Sequence, residues 1–235
     1  MKKTSSVLAI VLCTGLLLAA DSSPKDTLVS ASKKLADQPN YSWKTTVETP
    51  GEPTGTVEGK AERDGATVLA MARGEQTFSA VLKGAKGAIK TEEGWKTLTD
   101  AGGQDSGKTG ATRFVARSLQ NFKAPATEIA NLAGKTEDLK VAEGVYSGVL
   151  SEETVKELLV HRARSGGGNS PEVSGARGSI KFWIKDGLLS KYEYHVQGAF
   201  SFNGSDREIN RTHTTEIKEV GTTKVSVPDE AAKKL

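Results

Sequence analysis

The stretch GGQDSGKT, Gly102 to Thr109, matches the P-loop pattern at every required position. A phosphate-binding P-loop follows a buried apolar strand and starts a helix at its lysine, so that backbone N–H groups surround the phosphates. Here the preceding residues 95–100 are half polar, and Gly110 weakens a helix start at Lys108. We interpret the match as chance in a Gly-rich loop, and a nucleotide hydrolase would depend on Lys108 alone.

Three histidines, His161, His195 and His213, are the candidate metal ligands. A loop of two or four residues at 203–204 would place His195 and His213 on opposite faces of a hairpin, because side chains alternate along a strand. His161 has two arginines within three residues, and these repel a cation. We therefore predict no metal site and no cofactor.

Two adjacent carboxylate pairs, Glu92-Glu93 and Glu152-Glu153, could suggest hydrolysis. Neighbouring side chains point apart in regular structure, so neither pair can act jointly on one bond. The sequence also lacks the Gly-x-Ser-x-Gly pattern of a nucleophile elbow. We expect no catalytic residues and a protein that is not an enzyme.

The N-terminus has the pattern of a secretory signal. Lys2 and Lys3 precede an apolar run over residues 7–20, and a polar stretch with small residues follows. The run is short for a membrane span, and no later segment approaches one. We expect cleavage near Ala20, a periplasmic or secreted location, and a single domain over residues 21–235 without a transmembrane span.

The sole cysteine, Cys13, lies inside that run. Bacterial lipid attachment would need a small residue before the cysteine, but Leu12 is there, and the apolar run continues past Cys13. We favour an unlipidated export signal over lipidation of Cys13. The mature chain would then have no disulfide, thiol nucleophile or thiolate metal site.

The charge balance argues against a nucleic-acid partner. The formal net charge is +3, and removal of the two signal lysines lowers it to +1. No clustered basic stripe of the kind that binds nucleic acid is present.

The remaining chain alternates between strand and helix patterns. Short alternating segments between Gly and Pro residues predict an antiparallel sheet, and apolar residues at helical spacing predict amphipathic helices. The predicted helices are 24–36, 111–122, 125–132 and 151–162, and the predicted strands before the C-terminal third are 41–47, 54–63, 66–73, 76–83, 88–90, 95–98 and 145–150.

A long hairpin over residues 178–204 has even-numbered apolar residues in both strands. A two-residue turn at Asp186-Gly187 would put these two sets on opposite faces. A three-residue loop 185–187 with a left-handed Gly187 pairs Ile184 with Leu188 and Ile180 with Tyr192. We therefore predict the three-residue loop and one continuous apolar face.

So long an apolar face must curve and be covered, and the helices at 111–122 and 151–162 are predicted to cover it. The fold class is α+β, a curved antiparallel sheet with helices on its concave face. Both a solid core and the wall of an apolar cavity produce this alternation, and the sequence leaves both open. The candidate cavity residues are Phe182, Tyr192, Tyr194, Val196, Phe200 and Phe202 from the sheet, with Phe114 and Leu119 from the helices.

Three segments carry a resemblance to a known family. They are the opening helix PKDTLVSASKKLADQPNYSWK, the hairpin GSIKFWIKDGLLSKYEY and the C-terminal stretch TTEIKEVGTTKVSVPDEAAKKL. They resemble the bacterial periplasmic lipoprotein-carrier superfamily, the LolA/LolB-like fold. The resemblance implies a half-open barrel whose helices cover an apolar cavity. It also implies a non-enzymatic monomer that carries a lipid, an acyl chain or a lipoprotein anchor, with envelope proteins as further partners. An envelope scaffold with a filled barrel and no ligand is the alternative.

Overall fold

The first helix is specified by its end signals. The computed structural model describes residues 23–103, 110–160, 172–202 and 205–235, and α1 spans Pro24–Ala36. The Ser23 hydroxyl accepts a hydrogen bond from the Asp26 backbone N–H at 3.2 Å, and Pro24 occupies the first turn, where no N–H partner is needed. Leu28 and Leu35, two turns apart, are fully buried, so α1 packs with one apolar face inward.

Six strands follow as an antiparallel meander, in which each strand pairs with the next along the chain. Gly74 and Gly84 have positive φ at the turns after the third and fourth strands, where side chains would be strained. The strands are β1 (Asn40–Glu48), β2 (Gly55–Glu62), β3 (Thr67–Arg73), β4 (Gln76–Lys83), β5 (Lys86–Thr91) and β6 (Gly94–Thr97).

Three helices separate this meander from a second one that has a helix inserted after its second strand. The three helices are α2 (Leu98–Gly102), α3 (Gly110–Leu119) and α4 (Pro125–Gly134). The second meander comprises β7 (Thr136–Ala142), β8 (Val145–Leu150), α5 (Glu152–Val160), β9 (Glu172–Lys185), β10 (Leu188–Phe202) and β11 (Ser205–Lys218), and α6 (Asp229–Ala232) follows.

The two meanders form one sheet of eleven strands in the described part of the chain. Its order is β6-β5-β4-β3-β2-β1-β11-β10-β9-β8-β7, so the two halves meet only where β1 pairs with β11. The edge strands β6 and β7 are not paired with each other, and the sheet stays half open with α1, α3, α4 and α5 on one face. The predicted fold class, α+β with a curved antiparallel sheet around helices, is confirmed.

The predicted register of the β9–β10 hairpin is wrong, although its continuous apolar face is present. The turn has two residues, Asp186 and Gly187, both with positive φ, because Lys185 pairs with Leu188. A β-bulge at Ser190 then shifts the register, so that Phe182 pairs with Tyr192. The Ser190 hydroxyl donates to the Trp183 carbonyl at 3.0 Å. The extra residue in β10, rather than a third residue in the loop, keeps the apolar side chains of both strands on one face of the sheet.

The predicted covering layer was incomplete. α3 and α5 do lie over the sheet, but α1 and α4 also carry fully buried residues, including Leu28 and Ile129, and α1 packs against both α4 and β10. α1 and α4 each bury one face. The helical layer therefore has four main members rather than two.

The C-terminal residues cover part of the opposite sheet face. Val81 of β4 and Ala231 of α6 are fully buried together, with Val225 and Val227 packed beside them. β4 is therefore buried on both faces, since its neighbour Ala80 lies in the main core. Among the described residues, no helix combines the length and apolar character that crossing a bilayer requires.

Candidate functional site

A cavity of about 330 Å³ lies between the sheet and the helices. Its floor comes from β1, β2, β3, β10 and β11, because residues of these strands on the helix-facing side alternate with outward ones. The floor residues are Trp43, Thr45, Val47, Val57, Met71, Tyr192, Tyr194, Val196, Arg211, His213 and Thr215.

The roof of the cavity comes from one face each of α4 and α5, together with the end of α3. On α4, residues 125, 128, 131, 132 and 135 follow the helical repeat, and residues 154, 157 and 158 do the same on α5. Lys135 and Glu157 form an ion pair that connects the two helices at the roof. The connection from α3 to α4 contributes Phe122 and Lys123.

The start of α4 is held by the sheet. Its N-cap position, Ala124, supplies no side-chain hydrogen bond, and Pro125 opens the helix. The Ala126 N–H instead donates to the hydroxyl of Tyr41 on β1, which fills the role of a capping side chain. Burial raises the pKa of Tyr41, and this backbone hydrogen bond partly opposes that effect. α4 is thereby fixed over the floor.

A carboxylate of the roof meets two tyrosines of the floor. The hydroxyl of Tyr192 donates to Glu128, and the hydroxyl of Tyr194 donates to the same carboxylate at 3.5 Å. Tyr192 also hydrogen-bonds with Thr215, whose hydroxyl oxygen lies 2.8 Å from that of Thr45. A polar path thus crosses the floor from β1 to α4.

This contact strongly favours the neutral form of Tyr192. Burial, and after it the nearby Glu128 carboxylate, raise the pKa of Tyr192 well above its ordinary value. Tyr192 therefore stays protonated and remains a donor to Glu128 at physiological pH. Tyr194 is further supported by His213, whose ring stacks on it with a centroid distance of 4.5 Å.

The indole of Trp43 forms one end of the floor because its partner across the strands has no side chain. Trp43 pairs with Gly59 of β2, and an added Cβ there would lie 2.0 Å from the indole Cζ2. The ring therefore lies flat on the β2 backbone. It stacks on Phe122 at 6.3 Å between centroids, which closes this end of the cavity between sheet and helix.

The structure separates the predicted lining residues into three groups. Tyr192, Tyr194, Val196 and Leu119 lie in the cavity wall. Phe182 and Phe200 are buried on the same sheet face, but in the packed core rather than at the cavity. Phe202 lies at the end of β10, and its side chain is outside the described residues.

Phe114 lies away from the cavity wall, and its side chain is 41% exposed. α3 buries Ala116 and Leu119, and Ala116 packs where α3 approaches α2 closely. Residues two positions apart on an α-helix point about 200° apart, so burial of Ala116 turns Phe114 outward.

Several cavity residues were missed by the sequence analysis. Trp43, Val57 and Met71 lie on the first meander, whereas most of the predicted lining residues belong to the hairpin of the second. Their alternation along the strands was a usable signal. Glu128 carried no such signal, because an acidic residue in the first turn of a helix is ordinary.

The alternative chemistries find little support in the described ranges. Gly102 is the last residue of α2, a helix rather than the strand that a P-loop follows, and residues 104–109 lie outside those ranges. His195 and His213 are on opposite faces, as predicted, because Tyr194 pairs with His213. His161 is outside the described residues. No cluster of three or more metal-ligating His, Cys, Asp or Glu residues occurs within them.

No protein-family model matches the chain, and no curated protein matches its sequence. Solved structures similar to it include LprF from Mycobacterium bovis, at 11% identity over 88% of this chain and 96% of LprF, with a TM-score of 0.46. A LolA superfamily protein from Nitrosomonas europaea, NE2245, has 8% identity over 87% of this chain and 94% of its own, with a TM-score of 0.32.

The S-type phycobiliprotein lyase CPES from Guillardia theta has 4% identity over 87% of this chain and 100% of its own, with a TM-score of 0.26. At these identities and TM-scores the comparisons assign no function to this chain. Its half-open architecture is described from its own strand order and packing.

Proposed function

We propose that this chain is an exported, non-enzymatic binding protein that holds a hydrophobic ligand between its sheet and its helices. The ligand class is a lipid, an acyl chain or a lipoprotein anchor. The observation that carries the proposal is the cavity of about 330 Å³ behind α4 and α5. Its volume lies within the range of about 300–1,000 Å³ that is usual for ligand pockets.

The lining supports an apolar ligand in particular. Trp43, Val57, Met71, Leu119 and Phe122 form a continuous apolar part of the wall. Transfer of hydrocarbon from water to such a wall contributes about 25 cal/mol per Å² of buried apolar surface. The polar path through Tyr192 and Glu128 is satisfied by its own hydrogen bonds, so it does not require a polar ligand.

Export is part of the same proposal. The signal pattern over residues 1–20 directs the chain to the periplasm or the exterior, with cleavage near Ala20. Residues 21–235 then act as one binding domain and as a monomer, with envelope proteins as partners for loading or release. The sequence resemblance to the lipoprotein-carrier superfamily supports this assignment.

Native mass spectrometry of the mature protein, purified from its own envelope and then extracted with organic solvent, tests the proposal directly. A stoichiometric lipid or acylated peptide is expected. A bare protein that also fails to take up a fluorescent fatty acid would overturn the proposal and favour a scaffold with a filled barrel.

A pair of matched variants locates the binding. Val57→Trp adds a large ring at a half-buried floor position, whereas Val149→Trp adds the same ring on β8 at an exposed position outside the cavity wall. Uptake of the fluorescent fatty acid should be lost in the first variant and kept in the second. Equal uptake by both variants, with both folded by circular dichroism, would place the ligand elsewhere.

A further inference from the structure

The cavity has room for one hydrocarbon chain. A cavity of about 150 Å³ accepts benzene, so each buried carbon atom needs roughly 25 Å³. By this measure the volume of about 330 Å³ holds about 13 carbon atoms. A single chain of that length fills it, and a second chain finds no space.

The charged side chains in the cavity wall differ in whether they have a partner. The wall contains the cations Lys123, Lys135 and Arg211 and the anions Glu128 and Glu157. Lys135 and Glu157 neutralise each other in an ion pair. Glu128 is held by two tyrosine hydroxyls of the floor. The wall as a whole therefore has one more positive than negative charge.

Lys123 and Lys135 are both exposed to solvent, but only Lys135 is in an ion pair within the described ranges. Lys123 lines the cavity and its side chain is exposed, which places it at the opening between α3 and α4. Within the described ranges its ammonium group makes no hydrogen bond or ion pair with the protein. Phe122 beside it turns inward and stacks on Trp43. Charge and apolar wall thus adjoin at one end of the cavity.

We propose that the ligand is a single-chain amphiphile with an anionic end group, a long-chain carboxylate or a phosphate monoester, whose anion lies at Lys123. This inference rests on the proposed function and specifies its ligand class. The chain lies over Trp43, Val57 and Met71, where burial is favourable. The anion stays at the opening, where it keeps part of its hydration and pairs with the ammonium group.

Displacement of a fluorescent fatty acid from the delipidated mature protein tests this inference. The competitors are tetradecanoate, tetradecyl phosphate, 1-tetradecanol and a two-chain phosphatidate, each below the concentration at which it aggregates. Both single-chain anions should bind about two- to fivefold more tightly than the alcohol, the range of an exposed ion pair. The phosphatidate should compete poorly, and added salt should reduce the preference for anions.

Lys123→Gln should abolish the preference for anions, so that neither anion binds more tightly than 1-tetradecanol. Lys86→Gln is the matched control, since Lys86 is exposed at the start of β5, outside the cavity wall, and should keep the preference. A difference between carboxylate and phosphate would show which anion the site favours and would still support the inference.

Three results would overturn it. Equal binding of the alcohol and the anions, or a preference that survives in Lys123→Gln, refutes the role of the anion while the proposed function stands. Tight binding of the phosphatidate refutes the single chain. If no single-chain compound competes and the protein also fails to take up the probe itself, the proposed function is overturned as well.

Discussion

Gly59→Ala should damage both the stability of the protein and its cavity, because Trp43 occupies the space that a side chain would need. The added Cβ would lie 2.0, 2.3 and 2.4 Å from three carbons of the indole benzo ring. Carbon atoms in contact prefer about 3.5–4.0 Å, so the ring must move by about 1.5 Å. Phe122 and Tyr41 pack against it, and the cavity is the open direction.

The expected cost of this overpacking is about 1–3 kcal/mol in the free energy of unfolding. Gly55→Ala is the matched control on the same strand, since its Cβ would meet Val47 at an ordinary 3.6 Å. That change should be neutral or should stabilise by about 0.4–1 kcal/mol through the unfolded chain. The two variants should therefore differ by about 1–4 kcal/mol in urea unfolding.

A rescue experiment isolates the cause. Trp43→Phe removes the ring atoms that collide, so Gly59→Ala should cost little in that background, and a double-mutant cycle should show a coupling of about 1–3 kcal/mol. Uptake of the fluorescent fatty acid should fall in Gly59→Ala and remain in Gly55→Ala. Equal stability and equal uptake in these two variants would refute the steric argument.

Further predictions concern the floor. Tyr192→Phe removes a hydrogen bond to a charged acceptor and should destabilise the fold by about 1.5–3 kcal/mol at pH 7, measured by urea unfolding. In the wild type, stability should fall as the pH rises above about 10, because Tyr192 ionises in the unfolded chain while its raised pKa keeps it neutral in the folded one. The loss is about 1.4 kcal/mol per pH unit for each such tyrosine. Tyr192→Phe should reduce that slope, and Tyr41 should account for part of the remainder; an unchanged slope would contradict the burial of the hydroxyl. Deletion of Ser190 removes the bulge but keeps the flanking pairs, Leu189 with Ile184 and Lys191 with Trp183, on their present faces, so thermal unfolding by circular dichroism should show a loss below about 3 kcal/mol. A larger loss would show that the bulge itself is needed for the hairpin.

Local signals predicted the elements well. α1 starts and ends as expected because Ser23 and Pro24 define its start and Pro39 follows its end. β4 and β8 match their predicted bounds, since turns with Gly74 and Gly84 delimit β4 and a Glu143-Gly144 turn precedes β8. Leu98 was assigned to a strand but begins α2, where the Thr97 hydroxyl accepts from the Asp100 N–H at 3.1 Å.

Contacts between distant residues could not be predicted in the same way. Ser190 forms a bulge because the bulge gives the residues on both sides of it better partners on β9 than a regular ladder would give them. The contact of Glu128 with Tyr192 joins residues 64 positions apart and depends on how α4 is rotated. Nothing within either segment encodes that rotation.

The place where the two meanders join has a consequence for how the chain folds. Ser42 on β1 hydrogen-bonds to the carbonyl of Lys218 on β11, 176 residues away, whereas most other strand pairs are between neighbours along the chain. Non-local pairing slows folding, because the loop must close before its contacts form. At a synthesis rate of about 5–20 residues per second, β1 waits on the order of 10–35 seconds for its partner to be made. During that time the first half exposes β1 as an unpaired edge in the middle of the future sheet, so the centre of the finished molecule is the last part to close.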